Sequence, residues 1–396
     1  MRLLQQIRAV VSMNLRSMPQ RLATSLVIVI GIAGVVAVLL SVLSLASGLQ
    51  RTLASTGRDD RALILHKQSI DEVGSQLARD AVLTILDAPG IARGPDGKPL
   101  ASAEMIATVN LPRRDNGALG TLTLRGVSPQ VLVLRKELRL RAGRLFRPGL
   151  REVIAGRAAQ DRFRGLGIGQ RVLFGQNEWT IVGVFDSGGG AHDSELLGDA
   201  ETVLSAYQRT TFNSVTVQLA GPGALERLSS ALDKDPTLSV NVRRESQYYE
   251  QQSQAFSRLL ALIGNVVGTI MAIGAVFAAL NTMYSAVASR TVEIATLRAI
   301  GFGATPVLLS VIIEALLLAL VGAALGAAIA WLLFNGNTVS TLAGGTGLQQ
   351  VVFHLRIGWP LIVLGILWAC AVGLIGGLLP AIRAARLPVA NALRAV

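Results

Sequence analysis

Apolar residues gather into four long runs, and between the first two lies a stretch of about two hundred residues where apolar and polar positions alternate. The runs are predicted at residues 22–48, 258–286, 306–334 and 358–382. The first is centred on 25–45. Each exceeds the roughly 20 residues needed to cross about 30 Å of hydrocarbon as a helix. Trp331 and Trp359 sit where interfacial anchors are found. The first run is longer than the 7–15-residue core of a cleaved signal peptide, so it is read as a retained span.

Within residues 49–257 the period changes repeatedly. Residues 62–65, 121–127, 179–185, 213–219 and 238–242 read as strands bounded by turn residues. Residues 70–86 and 224–232 carry helical spacing. Two strand–helix–strand passages flank a β-rich middle, which predicts two subdomains. From Glu245 the chain is polar, lacks Gly and Pro, and runs into the second apolar run. One long helix is the simplest reading, with a helical cap on the domain as the alternative. The expected fold class is an α-helical membrane protein with four transmembrane helices and a large mixed α/β extracytoplasmic domain, with two subdomains and a stalk, inserted between helices 1 and 2. The remaining segments are a tail at 1–21, a loop at 287–305, a short loop at 335–357 and a tail at 383–396.

Charge orients this frame. Only two of the 25 acidic residues, Glu293 and Glu314, lie outside 47–258. Nine arginines flank the runs on one side (Arg2, Arg8, Arg16, Arg21, Arg290, Arg298, Arg383, Arg386 and Arg394), against Arg356 alone on the other. By the positive-inside rule both termini and the 287–305 loop are cytoplasmic. The long domain is outside, which places the chain in a bacterial cytoplasmic (inner) membrane as a multi-pass protein with a periplasmic domain. Net charge +12 invites a nucleic-acid reading, but the basic residues are scattered and no recognition motif accompanies them, so no nucleic-acid partner is expected. Cys370 is the only cysteine, which excludes an internal disulfide.

Candidate chemistry is sparse. No G-x-x-x-x-G-K-[ST] loop, G-x-S-x-G elbow or H-E-x-x-H helix occurs, so no catalytic residues are assigned. The stretch Gly188-Gly189-Gly190-Ala191-His192-Asp193-Ser194-Glu195 brings acids and a histidine together. Without three or four ligands at metal spacing it is read as a surface loop, and no metal is assigned. Glu314 falls inside the third run, where a carboxyl must face protein or water. Pairing with a polar side chain of another span, such as Asn281 or Thr282, is favoured over a place on a substrate or proton path. Gly322 and Gly326 have GxxxG spacing, which permits close helix packing within the chain or between two copies. In the cytoplasmic loop, Val292, Ala295, Thr296 and Ala299 repeat as one helical face, and Arg290 and Glu293, three apart, are placed to pair.

That loop, Ser289-Arg290-Thr291-Val292-Glu293-Ile294-Ala295-Thr296-Leu297-Arg298-Ala299-Ile300-Gly301, is followed by a span with an early Glu. Together with the ending Pro380-Ala381-Ile382-Arg383-Ala384-Ala385-Arg386-Leu387-Pro388, it resembles the MacB/FtsX-type ABC transporter permeases. Gly143-Arg144-Leu145-Phe146, Glu152-Val153-Ile154-Ala155-Gly156 and Val182-Gly183-Val184-Phe185 are similar to that family's periplasmic core domain. The resemblance implies mechanotransmission, in which a cytoplasmic ATPase dimer drives a permease dimer whose periplasmic domains move. It maps the ATPase contact onto Arg290, Glu293, Ile294, Leu297, Arg298 and Gly301. ATP and Mg would be bound by the partner ATPase and no cofactor by this chain. Further implied partners are a second permease copy or paralogue, the lipid bilayer, and a periplasmic adaptor with an outer-membrane channel. The chain opens with about 20 cytoplasmic residues, so the ATPase is expected to be separate. Export of a substrate is the leading expectation, with a lipoprotein-releasing permease or a transmembrane relay regulating a periplasmic enzyme as alternatives.

Overall fold

The computed structural model describes residues 3–17, 22–343 and 349–387. In chain order the elements are α1 (Leu3–Ser17), α2 (Leu22–Thr56), β1 (Arg61–His66), α3 (Arg79–Leu86), β2 (Ala101–Pro112), β3 (Leu119–Val127), α4 (Val131–Leu134), β4 (Arg139–Gly143), β5 (Glu152–Gly156), α5 (Arg157–Arg162), β6 (Arg171–Phe174) and β7 (Asn177–Asp186). They continue with β8 (Glu195–Asp199), α6 (Ala200–Ala206), β9 (Ser214–Gln218), α7 (Ala224–Asp233), β10 (Val240–Arg244), α8 (Glu245–Ser289), α9 (Thr291–Ala299), α10 (Ala304–Phe334), β11 (Thr338–Ala343), β12 (Gln349–His354) and α11 (Trp359–Ala385). The chain divides into two compact units. One comprises residues 1–47, 258–337 and 355–396, the other residues 48–257 and 338–354.

The first unit is a helical frame. Four helices are long and apolar enough to cross a membrane, spanning Ser25–Thr56, Glu245–Ser289, Ala304–Phe334 and Trp359–Ala385. Their shared core is built from small and β-branched side chains, among them Ile32, Val36, Ala275, Ala279, Ala319, Ala323 and Ala369. Apolar surface between membrane helices has little solvent-driven attraction, so close approach and dispersion must hold them together. Gly322 and Gly326 provide that approach. A Cβ at Gly322 would lie 2.9 Å from the Val29 carbonyl oxygen, and one at Gly326 would lie 2.5 Å from that of Ala33. The GxxxG face of α10 is therefore taken up by α2 of the same chain.

Three segments differ from the sequence reading. The N-terminal tail contains a helix, α1, whose Val10 is buried and whose Asn14 side-chain amide donates to Ser310 Oγ of α10. The first apolar run, expected to end at residue 48, continues as helix to Thr56, whereas the single helix expected from Glu245 through the second run is present as α8. The 335–357 loop holds the β11–β12 antiparallel hairpin. The C-terminal motif from Pro388 onward lies outside the described residues.

The second unit carries a sheet in the order β10-β1-β9-β2-β3-β8-β5-β7-β4, with β6 added on β7. Strand β2 joins its halves. Ala101–Glu104 pair with β9, and Met105–Pro112 pair with β3. One half is antiparallel throughout, while the other includes the parallel pairs β3–β8 and β5–β7. Ile64, Leu124, Val153, Val215 and Trp179 share one apolar core, each contributing about 1.5–3 kcal/mol by burial.

The helix expected over 70–86 is present only at Arg79–Leu86. Upstream, side-chain hydrogen bonds hold the backbone in turns instead. Asp71 accepts from Gly74 N, Ser75 Oγ accepts from His66 N, and the Tyr248 hydroxyl accepts from Glu72 N.

Candidate coupling helix and buried charge network

Two features, one in each unit, gather the polar chemistry of the molecule. In the frame it is α9. Arg290, just before it, is buried and forms an ion pair with buried Glu314 of α10, Nη1 to Oε2 at 3.1 Å. This corrects two expectations at once. Arg290 pairs across helices with Glu314 and not within the loop with Glu293, whose side chain is exposed. Glu314 takes an arginine and not Asn281 or Thr282, and the Thr282 hydroxyl instead donates to the Ala278 carbonyl of its own helix. A buried carboxylate is better neutralised by a guanidinium fork than by a neutral amide or hydroxyl.

Ile294 and Ala295 of α9 are buried in the frame. Arg298 Nη1 donates to the carbonyls of Ala385 and Leu387, tying α9 to the end of α11. Leu297 is half-buried, and Gly301 ends the helix at φ +102°, a conformation that costs glycine little. Exposed positions are Val292, Glu293, Thr296 and Ala299, with Ile300 just beyond at 70% exposure. The apolar face read from the sequence is thus split. Ala295 turns inward beside the bulkier Ile294, while Val292, Thr296 and Ala299 face out. Of the six residues the resemblance maps to an ATPase contact, Arg290 and Ile294 are occupied inside the frame, Leu297 and Arg298 are half-buried, and Glu293 and Gly301 are at the surface.

In the outer unit an ion network missed by the sequence reading lies almost wholly out of solvent. Arg125 of β3 bonds Glu72 at 2.9 Å, Glu104 of β2 at 2.8 Å and Glu195 of β8 at 2.9 Å. Arg135, which follows α4, bonds Glu104 at 3.2 Å and Glu245 at 2.6 Å. Arg61 of β1 bonds Glu245 at 2.7 Å and Glu137 at 2.6 Å. Glu245 is the first residue of α8, so two guanidiniums hold the start of that helix against strands of the sheet. Tyr248 and Tyr249 follow it into the interior, rings edge to face.

His192 joins the network. Its Nε2 lies 3.0 Å from Arg135 Nη1, and its Nδ1 lies 2.9 Å from Glu195 Oε2. A guanidinium only donates, so Nε2 accepts and the ring proton sits on Nδ1, directed at the carboxylate. The 188–195 stretch is therefore not a surface loop past Gly189. Residues 190–195 are buried, and Asp193 accepts from the amides of Ser187 and Gly189. Among the described residues no cluster of three His, Cys, Asp or Glu is arranged to hold a metal ion. One signal for the network was available. Glu104 and Arg125 are lone charges of opposite sign inside apolar strand sequence, and lone charges in such positions must find each other.

The network makes an acid-side prediction. Burial alone would raise the Glu195 carboxyl, but Arg125 and His192 together outweigh it and hold the group well below the usual carboxylate range. Burial likewise opposes, and Arg135 and Arg125 overcome, at Glu104. At Glu137 burial again opposes, and Arg61 overcomes it. Depressed folded-state values mean that the unfolded chain binds these protons first as pH falls. The stabilisation is complete above the unfolded carboxylate value of about 4.3 and is lost as pH drops through the folded values. Thermal unfolding of the outer unit, followed by Trp179 fluorescence in the full chain, is expected to hold steady from neutral pH to about 5 and to fall steeply below about 4. A midpoint that falls well above that range would show that these carboxylates do not set it.

Comparison with known proteins gives consistent matches along the chain. The family described as MacB-like periplasmic core domain matches residues 22–235, and the FtsX-like permease C-terminal family matches residues 265–389. A Bacillus subtilis protein, the uncharacterized ABC transporter permease YknZ, is 23% identical over 420 residues and is covered completely, as is this chain. The Escherichia coli macrolide export ATP-binding/permease protein MacB is 27% identical over 418 residues, 97% of this chain. The chain spans 60% of that relative's length. Among solved structures, the extracellular domain of YknZ matches with a TM-score of 0.36 at 16% identity, covering 46% of this chain and 99% of that domain. The periplasmic region of MacB from Actinobacillus actinomycetemcomitans matches with a TM-score of 0.36 at 16% identity, covering 52% of this chain and 97% of that region.

Proposed function

The chain belongs to the MacB/FtsX-like ABC transporter permeases, and from that membership we propose that it couples a separate cytoplasmic ATPase to movement of its outer domain in order to export a substrate. The observation that carries this reading is the division of α9. Arg290, Ile294 and Arg298 fix it to the frame, while Val292, Glu293, Thr296, Ala299 and Ile300 are left exposed. A helix held on one side, with Val292 and Ile300 exposed beside Glu293 and Thr296 on the other, is suited to receive a partner and to pass its displacement on.

From α9 the path runs back through Arg290 into α8. That helix is continuous for 45 residues to Glu245, where Arg61 and Arg135 grip it. At about 1.5 Å per residue, such a helix conveys a shift at one end to the other without a hinge of Gly or Pro in its polar part.

In this reading the ATPase supplies ATP and Mg binding, and the permease works as a dimer with a second copy or a paralogue. Both termini are cytoplasmic, and the membrane is the bacterial inner membrane. A periplasmic adaptor and an outer-membrane channel would complete an export path. The test is co-expression with soluble ABC ATPases of the source cell, followed by purification in detergent and a hydrolysis assay. The reading expects a stable complex whose hydrolysis exceeds that of the ATPase alone. No complex in any nucleotide state would overturn it.

A further inference from the structure

The outer unit contains a cleft of about 810 Å³ that neither the ion network nor the coupling path uses. Its walls include Arg157 and Arg162 of α5, Arg114 from the β2–β3 turn, and the bare backbone of Gly188 and Gly189. The volume falls within the roughly 300–1,000 Å³ of small-molecule sites.

Among the described residues the terminal guanidinium nitrogens of the three arginines make no hydrogen bond, although Arg157 lies near enough to Asp186 and Arg162 to Asp115 to be felt electrostatically. Arg114 is anchored by Nε, which donates to the carbonyls of Gln160 and Phe163 at 3.0 Å each, so both terminal nitrogens of its fork stay uncommitted. Arg157 makes no hydrogen bond or ion pair among the described residues. The same holds for Arg162, which is half-buried. Its guanidinium is pushed below its ordinary value, first by burial and then by the like charge of Arg113, which the Asp115 carboxylate only partly offsets. A half-buried cation beside another cation is a group whose energy falls when an anion arrives.

Four aspartates also line the cleft, and two of them are already supplied with donors. Asp186 accepts from Arg141 at 2.8 Å and from Gly188 N at 2.7 Å. Asp193 accepts from Ser187 N and Gly189 N. Asp115 accepts from Asn116 N, and Asp161 is exposed. Gly188 and Gly189 adopt positive φ, with open space where a Cβ would stand. The wall they form therefore admits close approach of a ligand to the main chain.

We propose that this cleft binds the phosphoryl group of a small ligand, with the forks of Arg114, Arg157 and Arg162 as its donors. Planar guanidinium forks match the tetrahedral oxygens of a phosphoryl group by paired hydrogen bonds. The group belongs either to a soluble phosphate compound or to a lipid head group. The site is independent of the coupling reading, because it concerns what the outer domain holds and not what drives it.

The experiment uses the full chain in a neutral detergent, titrated by calorimetry with inorganic pyrophosphate in one arm and with short-chain dihexanoyl phosphatidic acid in the other. Saturable binding in either arm, weakened about tenfold or more by Arg157→Gln and by Arg162→Gln, supports the site, and the arm that binds identifies the source. Arg157 is exposed and forms no ion pair within 4 Å among the described residues, so its variant keeps the fold, and Arg79→Gln, which does not line the cleft, serves as the unaffected control. Absence of saturable binding in both arms, or binding unchanged in both variants, overturns the proposal.

Discussion

Replacing Arg125 with methionine is expected to unfold the outer domain of an otherwise intact chain. This guanidinium is a counter-charge shared by Glu72, Glu104 and Glu195, all buried. Its removal leaves Glu72 with the hydroxyl of Ser214, Glu195 with His192, and Glu104 with Arg135 alone. Breaking a buried pair from one side costs about 3–5 kcal/mol, because a charge remains where water cannot reach it. Set against a typical domain stability of about 5–15 kcal/mol, that is enough to populate the unfolded state near physiological temperature. The readout is Trp179, fully buried and stacked on Phe174 at 5.4 Å between ring centroids, together with protease resistance of the outer segment. The contrasting variant is Arg79→Met. The Arg79–Glu201 pair has the shorter contact, 2.6 Å, but both partners are more than half exposed, so its loss leaves the unfolding midpoint unchanged. An Arg125→Met chain as stable as the parent would show that the network does not hold the domain together.

The second large effect concerns α9. The double substitution Val292→Asp with Ile300→Asp is expected to abolish ATPase association while leaving the permease folded. The two side chains are 42% and 70% exposed, so the frame does not depend on them. If each is buried against a partner it contributes about 1.5–3 kcal/mol, and losing both weakens association by about 100-fold or more. Ile294→Asp is the informative contrast. Ile294 is buried against the frame, so that variant loses the protein and not merely the partner. Retained stimulation of the ATPase by the double variant would place the contact elsewhere.

How far the sequence could carry this depends on the kind of interaction. The four spans were legible because lipid imposes a long, continuous apolar signal that nothing else in the chain imitates. Strands such as β1, β3 and β7 were legible from local alternation, as was the onset of a helix at Glu245. What alternation could not reveal was partnership. Residues 70–78 have helical spacing yet form turns, because Tyr248, 176 residues from Glu72, and nearby side chains satisfy the backbone first. Arg290 was placed with Glu293 because three-residue spacing is the only proximity a sequence displays, whereas its carboxylate comes from Glu314. The same limit hid the network. Glu72, Glu104, Arg125, Arg135, Glu195 and Glu245 are scattered over 174 positions and meet only through the sheet order. The GxxxG of α10 was visible as a motif, but only the packing against Val29 and Ala33 shows that its own chain takes it up.

The central claim is that ATPase action at α9 reaches the outer domain through α8. Hydrogen exchange of the reconstituted permease–ATPase complex tests it most directly, comparing nucleotide-free with ATP-trapped states over residues 245–257 and over β1. The account predicts a change in protection at these segments on trapping, absent from the Val292→Asp, Ile300→Asp chain. An ATPase that binds and turns over while exchange there stays identical in both states would contradict it.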